Sequence, residues 1–315
     1  MSNNSKKVVW LLMEQERGEY SSAIRYWFGI LERLGYDVTY YAYEAYNPEE
    51  FYLEMQRHSP DYIFHPCYND LHVEFTRLRE FTKVYVVQSD DDWRFQNYSR
   101  HYIPFVDGTI SYQAEKQWYL DSGARPNEII SAKWAFNPNT MLLEQPSKVK
   151  DVFISHGGSM YGNRAKLIEE FKQKGVPITT ANDVKYEELL SLWDRSKYSL
   201  CFTESSQGNF RQKKGRVAEI AYHSVLVSEP FPNIEEYYEP GKEFILFSTV
   251  EEAIDKIQYY EKNQTEYTKM FLAGRQRVWQ TNTVYHQWNS IMKQIDEDYV
   301  EVDVDKILKE YAQSN

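Results

Sequence analysis

Val8-Val9-Trp10-Leu11-Leu12-Met13 is a short apolar run, followed by polar Glu14 to Glu19 and then by Ala23, Ile24, Trp27, Phe28, Leu31 and Leu34 at helical spacing. Gly35 falls just past the last periodic residue, where a helix needs a left-handed cap, and Asp37-Val38-Thr39-Tyr40-Tyr41 then reads as a strand. This β-α-β reading decides the fold class, and it recurs. Asn47-Pro48-Glu49-Glu50 is a helix start, Tyr62-Ile63-Phe64 a strand, Asp70 to Phe81 a helix and Val84-Tyr85-Val86-Val87 a strand. Alternation of this kind predicts an α/β protein whose parallel sheet is covered by helices on both faces.

Between residues 137 and 150 turn formers replace the periodicity, in Asn137-Pro138-Asn139 and in Glu144-Gln145-Pro146-Ser147-Lys148, which marks a linker. A second alternation follows. Asp151 to Ser155 is a strand, Arg164 to Lys174 a helix ending at Gly175, and Val176 to Thr179 a strand. Tyr186, Leu189, Leu190 and Trp193 share a helical face, Tyr198 to Phe202 is a strand, Gly215 to Tyr222 a helix and Val225 to Val227 a strand. The expected organisation is a first α/β domain over residues 1–145, a second over 146–280, and helices over 281–315 that pack back toward the first. A chain of 315 residues fits two cores, since single cores stop growing at roughly 250–300 residues.

With 47 acidic and 36 basic side chains the chain carries a net charge of −11, which repels phosphate backbones and disfavours a nucleic-acid partner unless the cations cluster locally. The longest apolar run is far below the roughly 20 residues that span a bilayer, and the first residues, MSNNSKK, lack the apolar stretch of a signal peptide. No membrane span and a cytoplasmic location are therefore expected. Cys67 and Cys201 are too isolated for a disulfide framework or a zinc site. Aromatic residues make up 16% of the chain. Tyr26, Tyr68, Tyr112 and Tyr161 are candidates to stack on a sugar or base, while most of the others are core and rim packing.

In parallel α/β sheets ligands collect beyond the carboxyl ends of strands, where helix N-termini present free N–H groups. One post-strand loop runs into Arg211, Lys213, Lys214 and Arg216, four cations within six residues of an acidic chain. They suit a diphosphate, against the alternative of a solvated basic helix face. Glu219 lies three residues on, where a carboxylate accepts two hydrogen bonds from a vicinal diol such as ribose, the alternative being a salt bridge with Arg216. His156-Gly157-Gly158 follows a strand and lets a ligand approach the backbone. Arg164 opens the next helix, where a cation opposes the dipole and so points to an anionic partner. Asp90-Asp91-Asp92 lacks a second acidic cluster, so a metal is not favoured there. Asp91, Asp92 or His65 is instead a candidate general base for a hydroxyl acceptor.

Several of these segments together resemble the group 1 glycosyltransferases, in particular the CgeB-like, spore-maturation-type branch with the GT-B fold. They are Asp151 to Gly158 with Tyr161-Gly162-Asn163-Arg164, Lys214-Gly215-Arg216-Val217-Ala218-Glu219-Ile220-Ala221, Ser228-Glu229-Pro230, Glu235 to Glu243 and Thr283-Val284-Tyr285-His286-Gln287-Trp288. About 140 residues carry the resemblance, with a looser match around Ser89 to Phe95 and Asp107-Gly108. It implies two Rossmann-like domains facing a cleft and a nucleoside diphosphate sugar, UDP- or GDP-linked, as donor rather than a resident cofactor. It further implies Glu219 on the donor ribose, Arg211, Lys214 and Arg216 on the diphosphate, and His156, Gly157, Gly158 and Arg164 close by. No metal is implied, because side-chain cations and a helix dipole stabilise the leaving diphosphate.

The expected activity is hexosyl or pentosyl transfer to a hydroxyl of a glycan, a small molecule or a modified base. Many retaining members of the wider group carry a second glutamate eight positions before the ribose-binding one. That position here is Arg211, so retention or inversion stays open. The alternatives are a catalytically inactive GT-B-like binding or assembly protein and a viral-type enzyme that glycosylates a DNA base.

Overall fold

The computed structural model describes residues 5–12, 29–42, 47–66, 74–88, 92–112, 116–139, 149–205, 208 and 210–314. The chain divides into two compact units, residues 1–133 with 287–315 and residues 134–286.

The first unit holds a six-stranded sheet of β1 (Lys7–Leu12), β2 (Asp37–Ala42), β3 (Tyr62–Pro66), β4 (Lys83–Gln88), β5 (Gly108–Ser111) and β6 (Ile129–Ser131), in the order β2-β1-β3-β4-β5-β6. Every neighbouring pair is parallel. Val8, Val9, Leu11, Ile63, Phe64, Val84 and Val86 are buried, as a sheet covered on both faces requires. Its described helices are α1 (Ile30–Arg33), α2 (Pro48–His58), α3 (Phe75–Leu78), α4 (Asp92–Asn97) and α5 (Lys116–Asp121). Asn47 caps α2 by accepting from the Glu49 N–H at 2.9 Å, and Gly35 follows α1 at φ +96°.

The second unit holds β7 (Val152–Gly157), β8 (Thr179–Ala181), β9 (Ser196–Cys201), β10 (Val225–Ser228) and β11 (Ile245–Leu246), in the order β11-β10-β9-β7-β8, again all parallel. Its helices are α6 (Arg164–Gln173), α7 (Tyr186–Arg195), α8 (Arg216–His223), α9 (Val250–Lys262) and α10 (Gln264–Thr281). α11 (Val284–Ile295) begins in the second unit and ends in the first, and α12 (Val304–Ser314) follows. Both sheets start from their second strand and run through the first to the third. Each therefore has its point of topological reversal between first and third strands, β1 and β3 in one, β7 and β9 in the other.

The C-terminal segment is tied into the first unit by Trp288, whose ring packs edge-on to Trp10 and Phe64 at 5.1 and 5.3 Å. It is also tied by Asp296, which is paired with Lys6 and accepts from the Tyr36 hydroxyl at 2.7 Å. Burial pushes the Asp296 carboxyl up, but these hydrogen bonds outweigh it and hold the group below the usual range.

The structure departs from the sequence expectations in several places. The strand expected to end at Ser155 continues through His156 and Gly157, which pair with Thr180 and Ala181, so these two residues are strand rather than loop. β8 begins only at Thr179, because Pro177 has no N–H to give the ladder. Of the helix expected over Asp70 to Phe81, the described part is Phe75–Leu78. The two units divide between Lys133 and Trp134, ahead of the turn formers at 137–150. There Phe136 is held by backbone hydrogen bonds to Asn282 and Val284 at 2.9 and 2.8 Å. Tyr112 is wholly buried and packs in the core rather than facing a ligand, and Tyr26, Tyr68 and Cys67 lie outside the described residues. No helix among the described residues is long and apolar enough to cross a membrane.

Candidate functional site

The carboxyl ends of β7 and β9 flank the reversal point of the second sheet, and the sequence's polar residues meet there. Gly157 is the last residue of β7. A Cβ on it would lie 2.8 Å from Leu189 and 3.1 Å from the Trp193 indole nitrogen, so α7 closes over the strand only because the side chain is absent. Gly158 follows at φ +118°, and a Cβ there would lie 2.2 Å from the Arg216 guanidinium. The backbone conformation therefore calls for glycine, and a side chain there would push the guanidinium aside. Arg216, the first residue of α8, donates to the Gly157 carbonyl.

Arg164, the first residue of α6, is wholly buried. It lies over the Tyr161 ring at 3.6 Å and donates to the carbonyls of Ser159 at 2.7 Å and Glu204 at 3.4 Å. Burial pushes its pKa down and Arg216 adds to the shift. Through these two carbonyls the enclosed guanidinium links the 158–163 loop to the chain at Glu204. Among the described residues neither Arg164 nor Arg216 forms an ion pair, so two guanidinium groups sit close together without a carboxylate between them.

Lys214 joins them through Tyr161. Its ammonium donates to the Tyr161 hydroxyl at 2.8 Å and to the Glu204 carbonyl at 3.2 Å. Arg164, Lys214 and Arg216 all act on the buried Cys201 thiol at the end of β9, where they oppose the upward push of burial. Burial still prevails, which makes Cys201 an inert thiol. Arg211 is different in kind. It pairs with Glu229, whose other oxygen accepts from the Thr203 N–H at 2.9 Å, so part of its charge is already met by an almost wholly buried acid. Glu204, the nearest acid upstream of Arg211, turns its carboxylate to the Asn163 N–H at 2.9 Å.

His156 is buried, and burial, with Arg216 and Arg164 assisting, pushes its imidazole down to about 3, so it is neutral at physiological pH. Its Nδ1 lies 3.2 Å from the Leu200 carbonyl, which can only accept; the proton is therefore on Nδ1. The residue braces β7 against β9.

Glu219 sits on α8 one turn after Arg216, with Val217, Ile220 and Ala221 of that helix buried. No ion pair joins it to Arg216, whose guanidinium is turned to Gly157. The carboxylate instead accepts from the Tyr186 hydroxyl at the start of α7. Burial pushes Glu219 up to about 7, against the pull of Tyr186 and Arg216. Tyr186, Glu229 and the clamp made by Tyr161 were not assigned roles from sequence. Tyr186 reads there only as one position of an apolar helical face, and its partner is 33 residues away.

In the first unit, His65 near the end of β3 is wholly buried with its ring edge-on to Phe75 at 5.4 Å. Asp92 is the first residue of α4, while Asp91 lies outside the described residues. The structure thus brings together His156, Gly157, Gly158, Arg164, Lys214, Arg216 and Glu219 in one unit. Asp92 and His65 belong to the other.

Residues 142–293 match the family model described as glycosyl transferase-like. A search of curated proteins finds no match. Among solved structures, an alpha-glucosyltransferase in complex with UDP-glucose and DNA containing an abasic site aligns with a TM-score of 0.66 at 11% identity, over 92% of this chain and 99% of its own. HepE of Anabaena, in complex with UDP and glucose, aligns with a TM-score of 0.61 at 11% identity, over 90% of this chain and 98% of its own. The BGT of phage T4, in complex with UDP and Mn2+, aligns with a TM-score of 0.59 at 14% identity, over 92% and 99%. The chain has the GT-B fold, and residues 142–293 of it form a glycosyl transferase-like domain.

Proposed function

We propose that the protein, as a CgeB-like enzyme, moves a hexose or pentose from a UDP- or GDP-linked donor to a hydroxyl of an uncharged acceptor without a metal ion. The observation that carries this reading is the pair of unneutralised guanidinium groups beside Gly157 and Gly158 at the reversal point of the second sheet. A diphosphate laid against that backbone meets Arg216 and the N-terminus of α8, with Lys214 and Arg211 at its edge and the field of Arg164 behind it. As the bond from the anomeric carbon to the diphosphate oxygen breaks, its electron pair stays on the diphosphate, and these cations offset the charge. The acceptor oxygen bonds to the anomeric carbon and gives its proton to a base. Of the three candidates, the enclosure of His65 favours Asp91 or Asp92. The ionised Glu219 accepts from the ribose hydroxyls.

The acidic excess of the first unit, 27 acidic side chains to 17 basic ones, supports an acceptor that is not a polyanion. Such a unit repels a polyanion, which argues against a DNA base as acceptor although some structural neighbours are solved with DNA.

Thermal shift with a panel of UDP, GDP, ADP and their sugar conjugates tests the reading, run with EDTA and with Mn2+. One nucleotide class stabilises the protein equally in both. Glu219→Ala weakens its binding by about one to two orders of magnitude, as loss of hydrogen bonds to a charged group implies. A protein that no nucleotide stabilises would not be a donor-binding enzyme.

A further inference from the structure

We propose that Tyr186 is a positioning residue of the donor site. Its hydroxyl holds one oxygen of the Glu219 carboxylate and so keeps that group charged and turned toward the ribose. The proposal rests on the donor-binding reading given above.

Three observations lead to it. First, α7 does two jobs at once: Leu189 and Trp193 cover Gly157, and Tyr186, at its first turn, reaches Glu219 on α8. The helix that walls the phosphate loop therefore also sets the carboxylate. Second, the expected partner of Glu219 is engaged elsewhere, since Arg216 donates to the Gly157 carbonyl. Among the described residues the Tyr186 hydroxyl is the one hydrogen-bond donor to Glu219, and it takes Oε1. Third, a carboxylate offers about four acceptor positions, so a single donor on one oxygen leaves room for two ribose hydroxyls.

The charge on Glu219 is not secured by its surroundings. Burial raises it to about 7, and the groups acting on it are Tyr186 from α7 and Arg216 from its own helix. His156 of β7, on which Arg216 also acts, is already neutral and does not titrate in this range. A protonated Glu219 offers a donor where the ribose needs an acceptor. Donor affinity therefore depends on pH through Glu219, and Tyr186 sets where the transition falls. Removing its hydroxyl leaves the packing of the ring in place but withdraws the group that favours the charged form.

The test is calorimetric titration of the full chain with UDP-glucose, and with GDP-mannose if UDP-glucose does not bind, from about pH 5.5 to about 8.5, a window centred near the Glu219 transition. The diphosphate of either sugar conjugate stays fully ionised across this window, so the ligand contributes no step of its own. In the unsubstituted protein affinity is level at the alkaline end and falls by up to about tenfold per pH unit below the transition. Tyr186→Phe moves that transition upward by about one unit, the worth of one charge-assisted hydrogen bond. Its affinity at the alkaline end stays within about threefold of the unsubstituted protein. Glu219→Gln gives weak binding with a flat profile.

A Tyr186→Phe profile lowered equally at every pH, with its transition unmoved, would overturn the positioning role. So would a level profile in the unsubstituted protein, and both results would leave the donor-binding reading standing. Failure of both sugar nucleotides to bind at every pH would overturn the two together.

Discussion

The two units share a topology and differ in what they do with charge. Each is a parallel sheet whose strand order reverses between its first and third strands. The first carries 17 basic and 27 acidic side chains, and the second 19 and 20, so nearly all the net negative charge of the chain belongs to the first. At the reversal point of the second sheet, Arg164, Lys214 and Arg216 gather around Gly157, Gly158 and Cys201. In the first unit the best-buried ion pair among the described residues, Lys6 with Asp296, instead joins the C-terminal segment to the residue before β1. The same scaffold thus gathers cations at the reversal point in one unit and uses an ion pair as an anchor in the other.

The largest effect that separates the units is expected at Arg216. Arg216→Ala lowers kcat by about two to three orders of magnitude, the loss typical of one preorganised group on developing charge, while acceptor KM changes little. A variant that lost acceptor affinity but kept its turnover would make Arg216 a structural residue.

A pair of glycine substitutions sharpens the contrast. Gly158→Ala forces the Arg216 guanidinium aside at a φ of +118°, and donor affinity falls by about two orders of magnitude, as loss of the Arg216 and backbone contacts to phosphate implies. Gly108→Ala in β5 meets Ile130 and Tyr85 at 2.9 Å, and overpacking costs about 1–3 kcal/mol of stability. Donor affinity of the folded fraction is unchanged. Equal effects of the two on donor affinity would erase the distinction.

How much of this was legible from sequence follows the same division. The strands β1, β3, β4 and β10 announce themselves as largely apolar runs, because both faces of a parallel sheet are covered. β5 and β6 are short and mixed, as Gly108-Thr109-Ile110-Ser111 and Ile129-Ile130-Ser131, and give no such signal. The strand end at Gly157 was hidden because glycine reads as a break, whereas here Leu189 and Trp193, more than 30 residues on, fill the place of its side chain. Arg164 was legible as an anomaly at a helix start, but its partners were not, since a tyrosine ring and two carbonyls leave no charge pattern. Glu219 stood out as a carboxylate beside cations. Only the fold could show Tyr186 in contact with it.

The two units also respond to pH with opposite signs. The Asp296 carboxyl is held low, so its contribution to stability is full above the unfolded value near 4 and is lost as pH falls through its lower folded value. Glu219 is held high, so the folded state binds its proton more readily. Its ionised form costs stability at pH 8, and the cost is relieved as pH falls through 7 toward the unfolded value near 4.5. Glu219→Gln therefore raises the Tm of the ligand-free protein at pH 8 and has little effect at pH 4.5, whereas Asp296→Asn lowers Tm at pH 8. A lower Tm for Glu219→Gln at pH 8 would reverse the assigned sign.

The smallest effect is expected with DNA. In electrophoretic mobility shifts at about 50 mM salt, where non-specific binders are retained, the protein leaves duplex DNA free, as its acidic first unit requires. Retention that falls steeply with added salt would restore the DNA-base reading.

The decisive measurement is a crystal structure with the sugar nucleotide identified by thermal shift. The ribose hydroxyls are expected on Glu219 and the diphosphate against Gly157, Gly158 and the Arg216 end of α8. A nucleotide bound anywhere else, or one whose diphosphate is held without Arg216, would contradict this.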